Sequence, residues 1–154
     1  MIEGVELFPL RRFEDERGWM YELRRESRLP QPTRQTNISF SRQGTIRGLH
    51  YHERGQSDLF ACLSGMARIV VLDRRTDETL CLDIGDSNPV AVWIPGTYAH
   101  GFEALTDLLF CYHVTEEYDP ADPDEQTLCW RDPRVGHLWS TRSPILSERD
   151  TAAC

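Results

Sequence analysis

The sequence predicts an all-β fold, a sandwich or barrel of short strands in one domain spanning residues 1–154. Three observations predict it. Short runs rich in Val, Ile, Leu, Phe and Tyr recur through the middle of the chain, turn residues bound them, and sustained helical periodicity is scarce. At 154 residues the chain is long enough to bury one substantial core without a second domain.

The β-like runs are Thr36 to Phe40, Leu59 to Leu63, Ala67 to Leu72, Leu80 to Ile84, Val90 to Ile94 and Leu108 to Val114. Gly65-Met66, Arg75-Thr76-Asp77 and Asp86-Ser87-Asn88-Pro89 read as turns between successive strands. Asp15 to Leu29 has some helical character, but Gly18 interrupts it and Pro30 ends it, so little helix is expected overall. Residues 119–134 open acidic and proline-rich and read as a surface loop, leading to a tail that closes with Pro144 to Asp150.

Composition narrows the function classes. A net charge of −8 disfavours a nucleic-acid partner, which needs a basic surface to neutralise phosphates. No apolar run approaches the roughly 18 residues of a membrane span, and Met1 to Glu6 lack the basic and apolar regions of a secretion signal. A cytoplasmic protein is expected. Five cysteines (Cys62, Cys81, Cys111, Cys129 and Cys154) form an odd set without CxxC spacing, which argues against a disulfide framework and a zinc ribbon. All 17 basic residues are arginine, so no lysine amine is present to form a Schiff base.

The chemistry concentrates in two segments. Arg47-Gly48-Leu49-His50-Tyr51-His52 is followed by Asp58, and Trp93-Ile94-Pro95 leads to His100-Gly101-Phe102. In a strand, residues i and i+2 share a face, so His50 and His52 both point into a barrel. The spacing Gly44-x5-His50-x-His52-x5-Asp58-x6-Gly65, with Pro95 and His100 later, resembles the two cupin motifs. That resemblance implies a double-stranded β-helix, or jelly-roll, barrel in which His50, His52, Asp58 and His100 line the interior and hold a divalent metal.

A longer resemblance covers nearly the whole chain. Asp15 to Gly18 with Glu22, Gln35-Thr36-Asn37, Gly44 to Tyr51, Trp93 to Phe102, Tyr112 to Pro120, Trp130 to Pro133 and Pro144 to Asp150 resemble, in order, the dTDP-4-dehydrorhamnose 3,5-epimerase family. The family implies an isomerase of nucleotide-linked 4-keto-6-deoxyhexoses that requires no cofactor. Epimerisation beside a ketone needs a base, a group that stabilises the enolate and an acid on the opposite face. The resemblance places the base at His50, its supporting carboxylate at Asp150 and the acid at Tyr112. Contacts to the sugar nucleotide fall on Arg17, Glu22, Gln35, Asn37, Arg47, His100, Tyr118, Glu125 and Arg149. Family members commonly form homodimers by exchanging N-terminal strands, which assigns Arg17 and Glu22 to a neighbouring subunit's site.

Two positions depart from the family. Asp58 stands where it carries a lysine near the enolate oxygen, and His52 stands where it usually carries glutamine. Both substitutions move toward a metal-binding cupin. Three readings follow. The first is a cofactor-free epimerase. The second is a metal-dependent enzyme (isomerase, lyase or oxygenase) whose Zn²⁺, Mn²⁺, Fe²⁺ or Ni²⁺ acts as a Lewis acid. The third is a non-catalytic cupin that binds a sugar nucleotide.

Overall fold

The computed structural model describes all of residues 1–154. Two five-stranded antiparallel sheets form the barrel. Their strands are β1 (Glu6–Pro9), β4 (Gln35–Ser41), β5 (Ile46–Tyr51), β6 (Ser57–Ser64), β7 (Met66–Leu72), β8 (Thr79–Gly85), β9 (Val90–Pro95), β10 (Ala99–Ala104), β11 (Leu108–Val114) and β12 (Gln126–Thr127). One sheet runs β1-β9-β6-β11-β4 and the other β12-β5-β10-β7-β8. All six β-like runs of the sequence fall inside these strands.

Alternation on the central strands explains their nearly continuous apolar character. On β7, Ile69 and Val71 enter the inter-sheet core with Val92, Ile94, Phe102 and Phe110, whereas Val70 and Leu72 face outward beneath Trp130, Val135 and Trp139. On β6, Phe60 and Cys62 point in, while Leu59 and Ala61 pack outward against Leu10 and Trp93. Each sheet is therefore buried on both faces around its centre. A fully buried aliphatic or aromatic side chain contributes about 1.5–3 kcal/mol of transfer free energy.

The segment after β12 is fastened to the barrel by a few polar contacts. Buried Glu103 accepts hydrogen bonds from the backbone N–H of Ser140 at 2.8 Å and of Thr141 at 3.0 Å, and the indole N–H of Trp139 donates to Trp130 O at 2.8 Å. No helix is long and apolar enough to cross a membrane.

The scarcity of helix holds, and two local readings are refined. Residues 15–29 form no α-helix: β2 (Phe13–Asp15) and β3 (Gly18–Met20) make a hairpin, followed by a single 3₁₀ turn at Glu26–Arg28. The reason is local. Asp15 Oδ1 accepts the Arg17 N–H at 2.8 Å, and Gly18 takes φ +128°, which no helix accommodates. The cysteines form no framework, but they do hold one bridge that the odd count argued against, Cys129–Cys154, leaving Cys62, Cys81 and Cys111 free. The partners come from segments that only the fold brings together.

Candidate active site

Strands β5 and β10 lie side by side and put His50 opposite His100. Glycines allow this approach. A Cβ on Gly48 would fall 2.7 Å from Gly101 Cα, and one on Gly101 would fall 2.4 Å from Arg47 O. These strands form one wall of a cavity of about 1050 Å³, ample for a sugar nucleotide.

At one side of this cavity His50 Nε2 lies 2.7 Å from Asp150 Oδ1. Asp150 is set by the C-terminal helix α1 (Glu148–Ala152), whose N-cap Ser147 Oγ accepts the Asp150 N–H at 3.1 Å. Its other oxygen accepts the Gly48 N–H at 3.2 Å. Burial works to raise the Asp150 carboxyl, but the His50 and Gly48 contacts outweigh it and hold the group below the usual carboxylate range. The carboxylate only accepts, so His50 carries its proton on Nε2 and leaves Nδ1 on the side of Glu125. Glu125 Oε1 is 3.4 Å from that Nδ1, and Arg149 secures Glu125 through contacts of 2.8 and 3.0 Å.

Tyr112, on β11, faces the same cavity. Burial first, and then the negative charges of Asp58 and Glu125, push its phenol up, so the hydroxyl keeps its proton at neutral pH. That suits a proton donor.

A second cluster lies deeper. Asp58, His52 and His100 are 4%, 5% and 2% exposed. His100 Nε2 is 3.1 Å from Asp58 Oδ2 and its Nδ1 donates to Tyr98 O at 2.8 Å. Burial opposes the charge on both Asp58 and His100, yet their mutual contact prevails, lowering the carboxyl and raising the imidazole. Asp58 and His52 do converge as expected, but His50 does not join them, because it is engaged by Asp150. The metal-ligand set of four read from the sequence is thus reduced to three.

At the polar end, Gln35 donates to Asn37 Oδ1 at 2.9 Å and accepts the Tyr118 N–H at 2.8 Å, which places the exposed Tyr118 ring at the rim. Arg47 donates to Ser41 Oγ at 2.9 Å and Phe40 O at 3.0 Å but pairs with no carboxylate, leaving its charge available to an anion.

Twelve of the fourteen residues singled out from the sequence line this cavity; Arg17 and Glu22 do not. Arg17 pairs with Asp15 and Glu22 with Arg25 at the exposed N-terminal hairpin and the segment after it. Gln56 was missed. Its amide lies 3.0 Å from Asp58 Oδ1 and 3.2 Å from His52 Nε2, and the i, i+2 relation to Asp58 was the available signal.

Comparison with known proteins identifies the family. The sequence profile of the dTDP-4-dehydrorhamnose 3,5-epimerase family matches residues 1–154. The spore coat polysaccharide biosynthesis protein SpsL of Bacillus subtilis is 37% identical over 149 residues, covering 92% of this chain and 98% of that protein. The dTDP-4-dehydrorhamnose 3,5-epimerase of Escherichia coli K12 is 32% identical, covering 97% of this chain and 88% of its own. The crystal structure of dTDP-6-deoxy-D-glucose-3,5-epimerase from Legionella pneumophila, in complex with dTDP-4-keto-L-rhamnose, superposes with a TM-score of 0.88 at 28% identity, covering 99% of this chain and 87% of that one. Its cupin-like double-stranded β-helix is the fold of this barrel. With the family profile spanning every residue and the barrel superposing on an epimerase with its sugar nucleotide bound, the chain belongs to the dTDP-4-dehydrorhamnose 3,5-epimerase family of isomerases.

Proposed function

We propose that this protein epimerises a nucleotide-linked 4-keto-6-deoxyhexose, a dTDP-sugar by kinship, at C3, C5 or both. The observation that carries the reading is the His50–Asp150 pair opening onto a cavity that also holds the protonated Tyr112. His50 Nδ1 takes the proton from the carbon beside the ketone, and Asp150 stabilises the imidazolium that forms. Tyr112 returns a proton to the other face. Arg47 binds the diphosphate, Tyr118 stacks on the base, and Gln35 and Asn37 hold the nucleotide end, while His100, Glu125 and Arg149 face the sugar. The acid–base steps themselves require no cofactor.

The N-terminal hairpin supports a homodimer in which Arg17 and Glu22 complete the neighbouring site, because Phe13, Trp19 and Met20 are 48%, 49% and 59% exposed around it. A cytoplasmic location remains part of the reading, although the Cys129–Cys154 bond is a feature more usual in oxidising compartments.

Incubation in D₂O with a panel of nucleotide 4-keto sugars, followed by NMR, tests the proposal. Deuterium at C3 or C5 that is lost in His50→Ala is expected. Absence of exchange with every sugar on the panel refutes it.

A further inference from the structure

The deep cluster has a construction that proton transfer at His50 does not explain. His52 Nδ1 is bonded to the carbonyl of Asp124 and His100 Nδ1 to the carbonyl of Tyr98. A carbonyl only accepts, so both rings hold a proton on Nδ1 and turn Nε2 toward the same carboxylate, and the Asp58 carboxylate keeps a further proton on His100 Nε2 that an incoming metal ion would displace. His100 Nε2 lies 3.1 Å from Asp58 Oδ2 and His52 Nε2 lies 3.9 Å from it. One donor atom from each residue lies within 4.8 Å of the others.

This is how metal-binding histidines are prepared: the distal nitrogen is anchored by a backbone carbonyl, which fixes tautomer and ring orientation. The two histidine–carboxylate separations agree. Two ligands of a tetrahedral ion at about 2.0–2.1 Å are separated by roughly 3.3 Å, and the two histidine–carboxylate distances bracket that value. The Gln56 amide nitrogen, which touches both His52 Nε2 and Asp58 Oδ1, occupies lone pairs that an ion would use. All three residues border the cavity, so an ion there would keep a position open to a bound molecule.

We propose that His52, Asp58 and His100 form a binding site for one first-row divalent transition metal, separate from the His50–Asp150 pair and facing the same cavity. Two imidazoles and one carboxylate suit Zn²⁺, Mn²⁺, Fe²⁺, Co²⁺ and Ni²⁺ rather than Mg²⁺ or Ca²⁺, which prefer all-oxygen sets. When bound, the ion supplies a positive charge at a deep wall where the chain's own groups are a carboxylate and two histidines. His50 retains its proton-transfer partner throughout, so a metal ion and a proton-transfer pair coexist in one barrel.

The test needs no substrate. Metal-stripped full-length protein is titrated with Zn²⁺ by calorimetry and with Co²⁺ by visible absorption, the latter reporting coordination geometry directly. One equivalent bound, with a tetrahedral or five-coordinate Co²⁺ spectrum, is expected. Uptake should disappear in His52→Gln and in Asp58→Asn, both confirmed folded by circular dichroism, and persist in His50→Asn. Absence of stoichiometric uptake overturns the site, as does equal uptake in His52→Gln and Asp58→Asn. Loss of uptake in His50→Asn overturns the assignment to three residues. Because deuterium exchange is scored separately, failure here leaves the epimerase reading intact, and failure there leaves the metal site standing.

Discussion

Two histidine–carboxylate clusters share this barrel, and they differ in depth and connection. The His50 side chain is 19% exposed and contacts Asp150, Glu125 and Arg149, all delivered by segments after β11. The side chains of His52, Asp58 and His100 are 6%, 6% and 3% exposed, and the three residues come from the position just after β5, from β6 and from β10. The first cluster therefore depends on how the tail is docked, whereas the second sits mainly in the barrel wall, with only the His52 ring tied to the segment after β11 through the Asp124 carbonyl. Groups that transfer protons to a substrate need access to the cavity; groups that hold an ion need rigidity.

Four perturbations sharpen that contrast. The largest expected effect is on chemistry: His50→Ala should lower epimerisation by about 10²–10⁴-fold, the usual contribution of a general base, with little change in melting temperature. Steady-state rates and thermal denaturation on one preparation check both halves. The deep cluster should behave the other way. In metal-free protein Asp58→Ala removes the partner of the buried His100, whose ring then gives up its charge and leaves Nε2 unpaired, at a cost of about 3 kcal/mol. Chemical denaturation measures it, and a loss below 1 kcal/mol would show that the pair is not the buried ion pair described.

Reduction of Cys129–Cys154 is expected to cost about 2–4 kcal/mol and to reduce kcat, because Asp150 lies on the helix that the bond retains. Activity and melting temperature with and without reductant, against a Cys129→Ser control, check this. Unchanged kcat would mean that the Ser147 cap and the Gly48 N–H suffice to place the carboxylate. The smallest effect is in acid. The folded Asp150 carboxyl sits below its ordinary value, so its stabilising contribution is complete above that value, about 3.9, and is lost as pH falls through the folded one. The melting-temperature gap between wild type and Asp150→Asn should hold from neutrality to near pH 5 and close below pH 4.

How much of this was legible in the sequence depends on the range of the interaction. The central strands showed themselves because each repeats an apolar pattern over five to seven residues. The helix bearing Asp150 passed unnoticed, although Ser147 with Asp150 three positions later was a usable N-cap signal. The pairing of His50 with Asp150 spans 100 residues, and only the family resemblance exposed it. Strand alternation correctly put His50 and His52 on one side, but it carries no information on rotamers or on which loop carbonyl captures a ring. Hence the single four-ligand site read from the motif resolves into two clusters. The disulfide was hidden for the same reason, since its cysteines are 25 residues apart and the tail's route decides whether they meet.

The glycine contact between β5 and β10 carries a final consequence. Gly48 supplies an N–H to Asp150 and borders the strand bearing His50, while Gly101 follows His100 and has no room for a Cβ beside Arg47 O. The two clusters use different hydrogen-bond partners, but mechanically they share one hinge pin. A methyl group at either glycine would wedge the strands apart and shift both constellations together, so no single substitution at this joint can tune one without disturbing the other.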